Sequence, residues 1–537
     1  KGHHSATMAK KQNIPWFFFY CLFFGCLFVA GSVLSGSGQT SEQRSPGLNF
    51  VLLNPGESME SIVDTAAHIV PSSNQLAWQE TEFIAFAHFG MNTFTDREWG
   101  DGTESPALFN PADFDARQWV KVLKEAGMKT LVVTAKHHDG FCLWPSRYTE
   151  HSVRASPWRG GKEDVVKEVA AACREAGVKL GIYLSPWDRH ERTYGDSPAY
   201  NEFFRRQLRE LLTNYGEISE IWFDGACGEG PNGKRQVYDW PSYYRVIREL
   251  QPHAVIFGMG PDVRWVGTES GYARETEWSV VPIDIKNREA AAARSPQQPP
   301  SLDDLFIPGD MTAEDLGSRS KIKDAKALAW YPAETDVSIR PGWFYHQSED
   351  DKVKTPEKLI DIYFSSAGRN SVLLLNVPPD KRGLIHDNDI KSLTEMRRIL
   401  DLTFEKNLAR DAAVNASNEA GGHAAALILD EDKMTYWTTG EGVESASLEF
   451  DLPEARTFDV AMLQEYVRVG QRVEEFLLEA WDGKEWRVFA RGTTIGYKRL
   501  LRFPEVSATK VRLTITKSRS SPALSEFGLF KFPSPKS

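Results

Sequence analysis

The chain is 537 residues long, more than one ordinary core holds, so two or three folding units are expected. Apolar residues make up 41% and charged residues 26%, which excludes global disorder, collagen and a polytopic membrane protein. Lys and Arg total 63 against 74 Asp and Glu, a formal net charge of −11, and an acidic surface repels phosphate backbones, so no nucleic-acid partner is expected.

In chain order, Lys1–Thr7 reads as a cloning remnant ahead of an initiator Met8. Lys10 and Lys11 then precede the apolar run Ile14–Leu34, and the small residues Ser35–Gly38 follow. Positive, then apolar, then small is the order of a secretory signal peptide, so export to the periplasm or the exterior is expected. The run would also span a bilayer if it stayed uncleaved, which confines membrane contact to this segment. Cys21 and Cys26 fall in it, and the remaining Cys142, Cys173 and Cys227 make no disulfide framework.

Beyond the leader, apolar β-rich runs alternate with helical patterns. The runs Phe83–Gly90, Thr130–His137, Lys179–Ser185, Glu220–Asp224, Ala254–Met259 and Ser371–Val377 read as strands. Helical spacing marks Asp115–Ala126, Asp164–Ala176, Glu202–Tyr215, Ser242–Gln251 and Pro356–Ala367, the first two closed by Gly127 and Gly177. Continuous apolar strands with helices between them argue for a parallel sheet covered on both faces. Count and length favour a (β/α)8-like barrel over an open dinucleotide-binding sheet, and no G-x-G-x-x-G follows the first strand. Residues 288–320 form a polar insertion, read as a loop or lid. From about Ala409 the runs become short and alternating, as in Ala446–Phe450 and Lys510–Thr516, the texture of a β-sandwich. The expected fold is therefore α/β, a (β/α)8-like barrel followed by a C-terminal β-sandwich. Its expected boundaries are a remnant and leader at 1–40, a lead-in at 41–80, the barrel at 81–398 and the sandwich at 409–537.

In such a barrel the chemistry sits where strands end at their C-terminal side. His88, then Lys136-His137-His138-Asp139, then Tyr183 with Pro186-Trp187-Asp188, then Asp224 and finally Glu269 follow successive apolar runs. One such residue is easily structural, but five strand ends converge on a site. Asp224 closes an apolar strand, Trp222 two residues earlier points to the same side, and Gly225 and Ala226 leave room beside the carboxylate. A second carboxylate comes from Thr268–Trp278, as Glu269, Glu275 or Glu277. Two carboxylates at neighbouring strand ends suit glycoside hydrolysis, one attacking the anomeric carbon or activating water and the other protonating the leaving oxygen. A metal site built on His88, His137, His138 and Asp224 is the competing reading. Adjacent histidines on a strand point to opposite faces, so we expect no metal and no cofactor, and read the histidines as hydrogen-bond donors to sugar hydroxyls. Glu98, Trp99 and Trp343 add an acceptor and stacking faces.

The segments AHFGMNTF (87–94), EWGDG (98–102), AGMKTLVVTAKHHDGFCLW (126–144), GIYLSPW (181–187), EIWFDGA (220–226) and LLLNVPP (373–379) resemble the α-L-fucosidases of glycoside hydrolase family 29. The resemblance implies a retaining exo-hydrolase of terminal α-L-fucose that works through a covalent glycosyl-aspartate. It implies Asp224 as nucleophile, Glu269 as acid/base, and a fucose pocket of His88, Glu98, Trp99, His137, His138, Tyr183, Arg264 and Trp343, to which the strand position of Trp222 adds that residue as a further substrate contact. The context RWVGTESGYARETEW resembles the subgroup that prefers α-1,3/1,4-linked fucose, so the partner implied is a fucosylated glycan. Activity on aryl or other fucosides, and a non-catalytic fucose-binding protein, are the alternatives. The C-terminal part resembles discoidin-like, galactose-binding-type sandwiches.

Overall fold

The computed structural model describes residues 48–230, 232–286 and 301–533. The leader reading at 1–40 and part of the 288–320 insertion lie outside the described residues.

One parallel sheet carries the fold. Its strands are β1 (Phe83–Ala87), β2 (Thr130–Lys136), β3 (Lys179–Leu184), β4 (Glu220–Phe223), β5 (Val255–Gly258), β6 (Arg264–Trp265), β7 (Ala333–Ser338) and β8 (Ser371–Asn376). They lie in the order β5-β4-β3-β2-β1-β8-β7-β6 with every pairing parallel. A parallel bridge from Phe257 to Val263 brings the two edges together into a nearly closed barrel. Helices α1 (Ala116–Glu125), α2 (Val165–Ala176), α3 (Ser197–Asn214), α4 (Trp240–Leu250), α5 (Pro356–Ser365) and α6 (Asp387–Phe404) follow β1, β2, β3, β4, β7 and β8. Only the turn Met259–Val263 joins β5 to β6, and the described part of the β6–β7 crossover carries the short turns Leu302–Leu305 and Arg319–Ile322.

Local chemistry sets the helix ends. The Asp115 carboxylate accepts from the backbone N–H groups of Arg117 and Gln118 and starts α1, whose Trp119, Val120 and Leu123 are buried. Asp164 caps α2 in the same way through Lys167 N, and Gly177, at φ 69°, ends it in the left-handed conformation that glycine tolerates.

Two strands escape the sequence pattern. β6 is two residues long, and β7 (AETDVS) carries Glu334, Thr335, Asp336 and Ser338, all buried, where an apolar run is the usual signal of a barrel strand. Polar side chains persist there because the barrel interior supplies partners. Glu334 Oε1 accepts from Trp222 Nε1 at 2.9 Å, and Glu220 Oε2 accepts from Trp78 Nε1 at 3.1 Å. Burial and then the neighbouring Glu220 charge push Glu334 well above the carboxylate range, and the two carboxyls form the floor of the barrel.

Residues 413–530 form the second layer, with β9 (Ala413–Ala416), β10 (Trp437–Thr438), β11 (Ala446–Glu465), β12 (Val473–Trp481), β13 (Trp486–Gly492), β14 (Arg499–Ser518) and β15 (Ala523–Phe530). All these strands pair antiparallel. Ala446, Leu448, Phe450 and Leu452 alternate into a separate core, and register shifts near Asp451–Arg456 and Phe458–Val460 let β11 bend. This sandwich docks on the N-terminal end of the barrel. Just ahead of β8, Asn370 Oδ1 accepts from Tyr497 N at 2.8 Å and its Nδ2 donates to Glu277 O at 3.1 Å. Just ahead of β1, Glu82 pairs with Lys498.

Candidate active site

The C-terminal ends of the strands gather a pocket around Asp224. The first residue past β4, it is partly exposed at its side chain, 24%, and two neutral donors hold it. The Tyr183 hydroxyl, from β3, donates to Oδ2 at 3.0 Å, and the Ala226 backbone N–H donates to Oδ1 at 2.7 Å. Burial, and then the Asp224 charge, push the Tyr183 hydroxyl well above its usual range, so it stays a donor. Trp222 stands beneath, its ring 5.2 Å from that of Tyr183 and stacked on Phe257 at 4.4 Å.

The histidines line one wall. The structure corrects the expectation that His137 and His138 face opposite ways. β2 ends at Lys136, so both lie in the loop beyond it, where strand alternation no longer applies, and their rings are 4.1 Å apart. Ser185 Oγ donates to Trp187 O at 2.6 Å and therefore accepts from His138 Nδ1 at 2.7 Å. That network leaves His138 Nε2 turned toward Asp224 Oδ2, 3.7 Å away. His88 Nδ1 donates to Asn376 Oδ1 at 2.9 Å, and Asn376 Nδ2 is spent on Ser338 Oγ and Trp343 O. Burial lowers His88 to about 3 and His137 well below its usual range, so both rings are neutral hydrogen-bonding groups.

Trp343 and Glu269 continue the lining from His88. The Trp343 indole N–H donates to Glu269 Oε2 at 3.2 Å, and its ring lies 5.1 Å from that of His88. Trp99 stands at the mouth, 57% exposed and edge-on to both His138 and Trp187. Glu98 sits between two loops, its carboxylate taken up by Trp343 N at 2.9 Å, Phe344 N at 3.1 Å and His346 Nε2 at 2.7 Å.

Arg264 does not join them. Its guanidinium is fully buried against Glu277, Tyr331 O and Trp278 O, because along β6 it is Trp265 that joins the apolar cluster inside the barrel, and alternation sends Arg264 outward. The other two glutamates of that run are elsewhere too. Glu277 is buried between Arg264 and Arg274, and Glu275 pairs with Arg369 and Arg499 at the sandwich. After Gly271 the chain has left the mouth and runs toward the barrel's other end.

Sequence reasoning missed Asp336, Trp265, Asn376 and His346. Asp336 Oδ1 accepts from Trp265 Nε1 at 2.8 Å. Burial, and then the Glu269 and Asp224 charges, push Asp336 up to about 8 against that hydrogen bond. Asn376 ends the apolar LLLN run and was legible as a polar strand end, whereas Asp336 hides in an unrecognised strand.

A pair of carboxylates beside aromatic and imidazole rings at the C-terminal end of a barrel is the equipment of a glycoside hydrolase. Comparison with known proteins agrees. The sequence model of the alpha-L-fucosidase family matches residues 73–404, and that of the F5/8 type C domain matches residues 413–527. Alpha-L-fucosidase 1 of Arabidopsis thaliana is 44% identical over 469 residues, which is 86% of this chain and 87% of that protein. A glycoside hydrolase family 29 fucosidase of Ruminococcus gnavus, solved in complex with fucose, superposes with a TM-score of 0.76 at 34% identity, over 87% of this chain and 95% of that one. SpGH29 superposes with a TM-score of 0.77 at 38% identity, over 86% and 98%. The chain belongs to the alpha-L-fucosidase family, glycoside hydrolase family 29, and is an alpha-L-fucosidase acting on fucosylated glycans.

Proposed function

We propose that the chain is an exported, exo-acting, retaining α-L-fucosidase selective for α-1,3/1,4-linked L-fucose, with Asp224 as nucleophile and Glu269 as acid/base. The observation that carries the reading is the placing of these two carboxylates. Asp224 is charge-stabilised by Tyr183 and Ala226 inside the pocket, and Glu269 is fixed by Trp343 at its wall. In the first displacement an Asp224 oxygen forms a bond to the anomeric carbon while the bond to the leaving glycan oxygen breaks, and Glu269 gives that oxygen its proton. In the second, Glu269 takes a proton from water as the water oxygen displaces Asp224, so both groups return to their starting states. Neutral donors around Asp224 suit this cycle, because they stabilise its charge without pairing it irreversibly with a cation.

The linkage preference rests on the residues around Glu269 and the export on the leader pattern. Hydrolysis of a Lewis-type trisaccharide beside an aryl α-L-fucoside tests the reading, with Asp224→Ala as control. Release of fucose chiefly from the trisaccharide, with α-fucose as first product by NMR and turnover lost in the variant, is the expected result. Preference for the aryl substrate would discard the selectivity, and β-fucose as first product would discard retention.

A further inference from the structure

Both ring nitrogens of His346 meet carboxylates. Nδ1 lies 2.8 Å from Asp96 Oδ1 and Nε2 lies 2.7 Å from Glu98 Oε1. Two acceptor-only partners require two N–H donors, so the ring is an imidazolium. Its partners belong to the loop after β1, whereas His346 follows β7, some 250 residues away in sequence, so the ion pairs staple two of the loops at the pocket mouth. The side chain is only 13% exposed, and even a Cβ at Gly342 would crowd it and the Glu98 carboxylate. The staple reaches the chemistry in three contacts. His346 holds Glu98, Glu98 holds the Trp343 backbone N–H, and the Trp343 indole holds Glu269.

We propose that His346 is a positioning residue for the reaction, a doubly paired imidazolium that fixes the Trp99 loop to the Trp343 loop and thereby holds Glu269 in place. This rests on Glu269 being the acid/base. Burial lowers the affinity of His346 for its proton, but the hydrogen bonds and charges of Asp96 and Glu98 outweigh it, and the net shift is upward. Asp96 and Glu98 are the charged groups facing the ring. Arg97 beside them turns to Asp101 and Glu104, and in the histidine's own loop Glu349 accepts from Gly342 N and Asp350 pairs with Arg340. A raised value means the staple is complete below the ordinary histidine range and loosens as pH climbs through the folded-state value.

The test is the pH profile of kcat/KM on a Lewis-type trisaccharide and on an aryl α-L-fucoside for the wild type, His346→Gln, His346→Arg and Glu269→Ala. Glutamine keeps one donor and no charge, while arginine restores charge and several donors. We expect His346→Gln to lose about 10- to 100-fold on the trisaccharide and several-fold less on the aryl substrate, whose leaving group needs little protonation. We also expect the basic limb of the wild-type profile to shift in both His346 variants, the limb set by Glu269 itself remaining wherever that residue is kept, and His346→Arg to recover most of the rate. Unchanged rates and profile in His346→Gln would overturn the proposal, and so would an equal loss on both substrates tracking a lowered Tm. If Glu269→Ala itself fails to separate the substrates, the acid/base reading falls and the proposal with it. If Glu269→Ala separates them and His346→Gln does not, the staple alone is wrong.

Discussion

The Tyr183 hydroxyl donates to Asp224 Oδ2 over 3.0 Å, and the rings of Phe86, His137 and Trp222 fix the tyrosine on several sides. Tyr183→Phe keeps that packing and deletes only the donor. Because a hydrogen bond to a charged group contributes about 1.5–3 kcal/mol, kcat/KM is expected to fall about 10- to 100-fold with the melting temperature nearly unchanged. Steady-state kinetics beside thermal melts check this; a large fall in Tm would mean that the ring packing had been disturbed instead.

Azide separates the two carboxylate roles by stereochemistry. Each displacement at the anomeric carbon inverts it, so a double displacement retains configuration. With Asp224→Gly, azide should attack the substrate directly and give β-fucosyl azide from an activated fucoside. With Glu269→Ala it should attack the glycosyl-enzyme and give the α-azide. Loss of glycan turnover in each variant should be at least about a hundredfold. NMR of the azide products decides, and the same anomer from both variants would refute the division of roles.

Asp336 makes a prediction about stability. Its carboxyl is raised to about 8 in the folded chain against about 4 when unfolded. Between those values the folded form keeps a proton that the unfolded form has lost, so stability declines as pH rises through the window. Asp336→Asn cannot ionise and can still accept from Trp265. Its Tm should therefore fall less than that of the wild type between about pH 5 and pH 8, which differential scanning fluorimetry across that range would register.

Behind the histidine loop, Lys136 Nζ donates to Asp188 Oδ2 at 2.7 Å and to Gln207 Oε1 at 2.9 Å, with both charged groups almost completely buried. Lys136→Met strands Asp188 without its counter-charge. The expected cost is about 3–5 kcal/mol of stability, readable in a urea unfolding curve, and the double variant Lys136→Met with Asp188→Leu should recover part of it.

Most barrel strands were legible because they are apolar throughout, and the WFDG and HHDG stretches carried the nucleophile candidate and the histidine wall with them. What escaped has two physical causes. Near a polar pocket the inward residues of a strand are themselves polar, so β7 lost the apolar signature that marks its neighbours, and Asp336 was lost with it. The staple at His346 was invisible because its partners, Asp96 and Glu98, come from the opposite end of the barrel sequence. The glutamates of Thr268–Trp278 illustrate the reverse error. All three look alike in sequence, but the chain leaves the mouth after Gly271, so Glu275 and Glu277 serve the sandwich junction and a buried arginine pair.

The closed floor of the barrel dictates traffic. With Glu220, Glu334, Trp78 and Trp222 plugging the interior beneath Asp224, the pocket is a blind alley, and everything must pass the mouth where Trp99 stands exposed. The departing glycan and the freed monosaccharide must both back out along the path by which the substrate entered. A bulky glycan lingering at that mouth would block entry and exit alike, so the defucosylated product is expected to inhibit by competing with substrate.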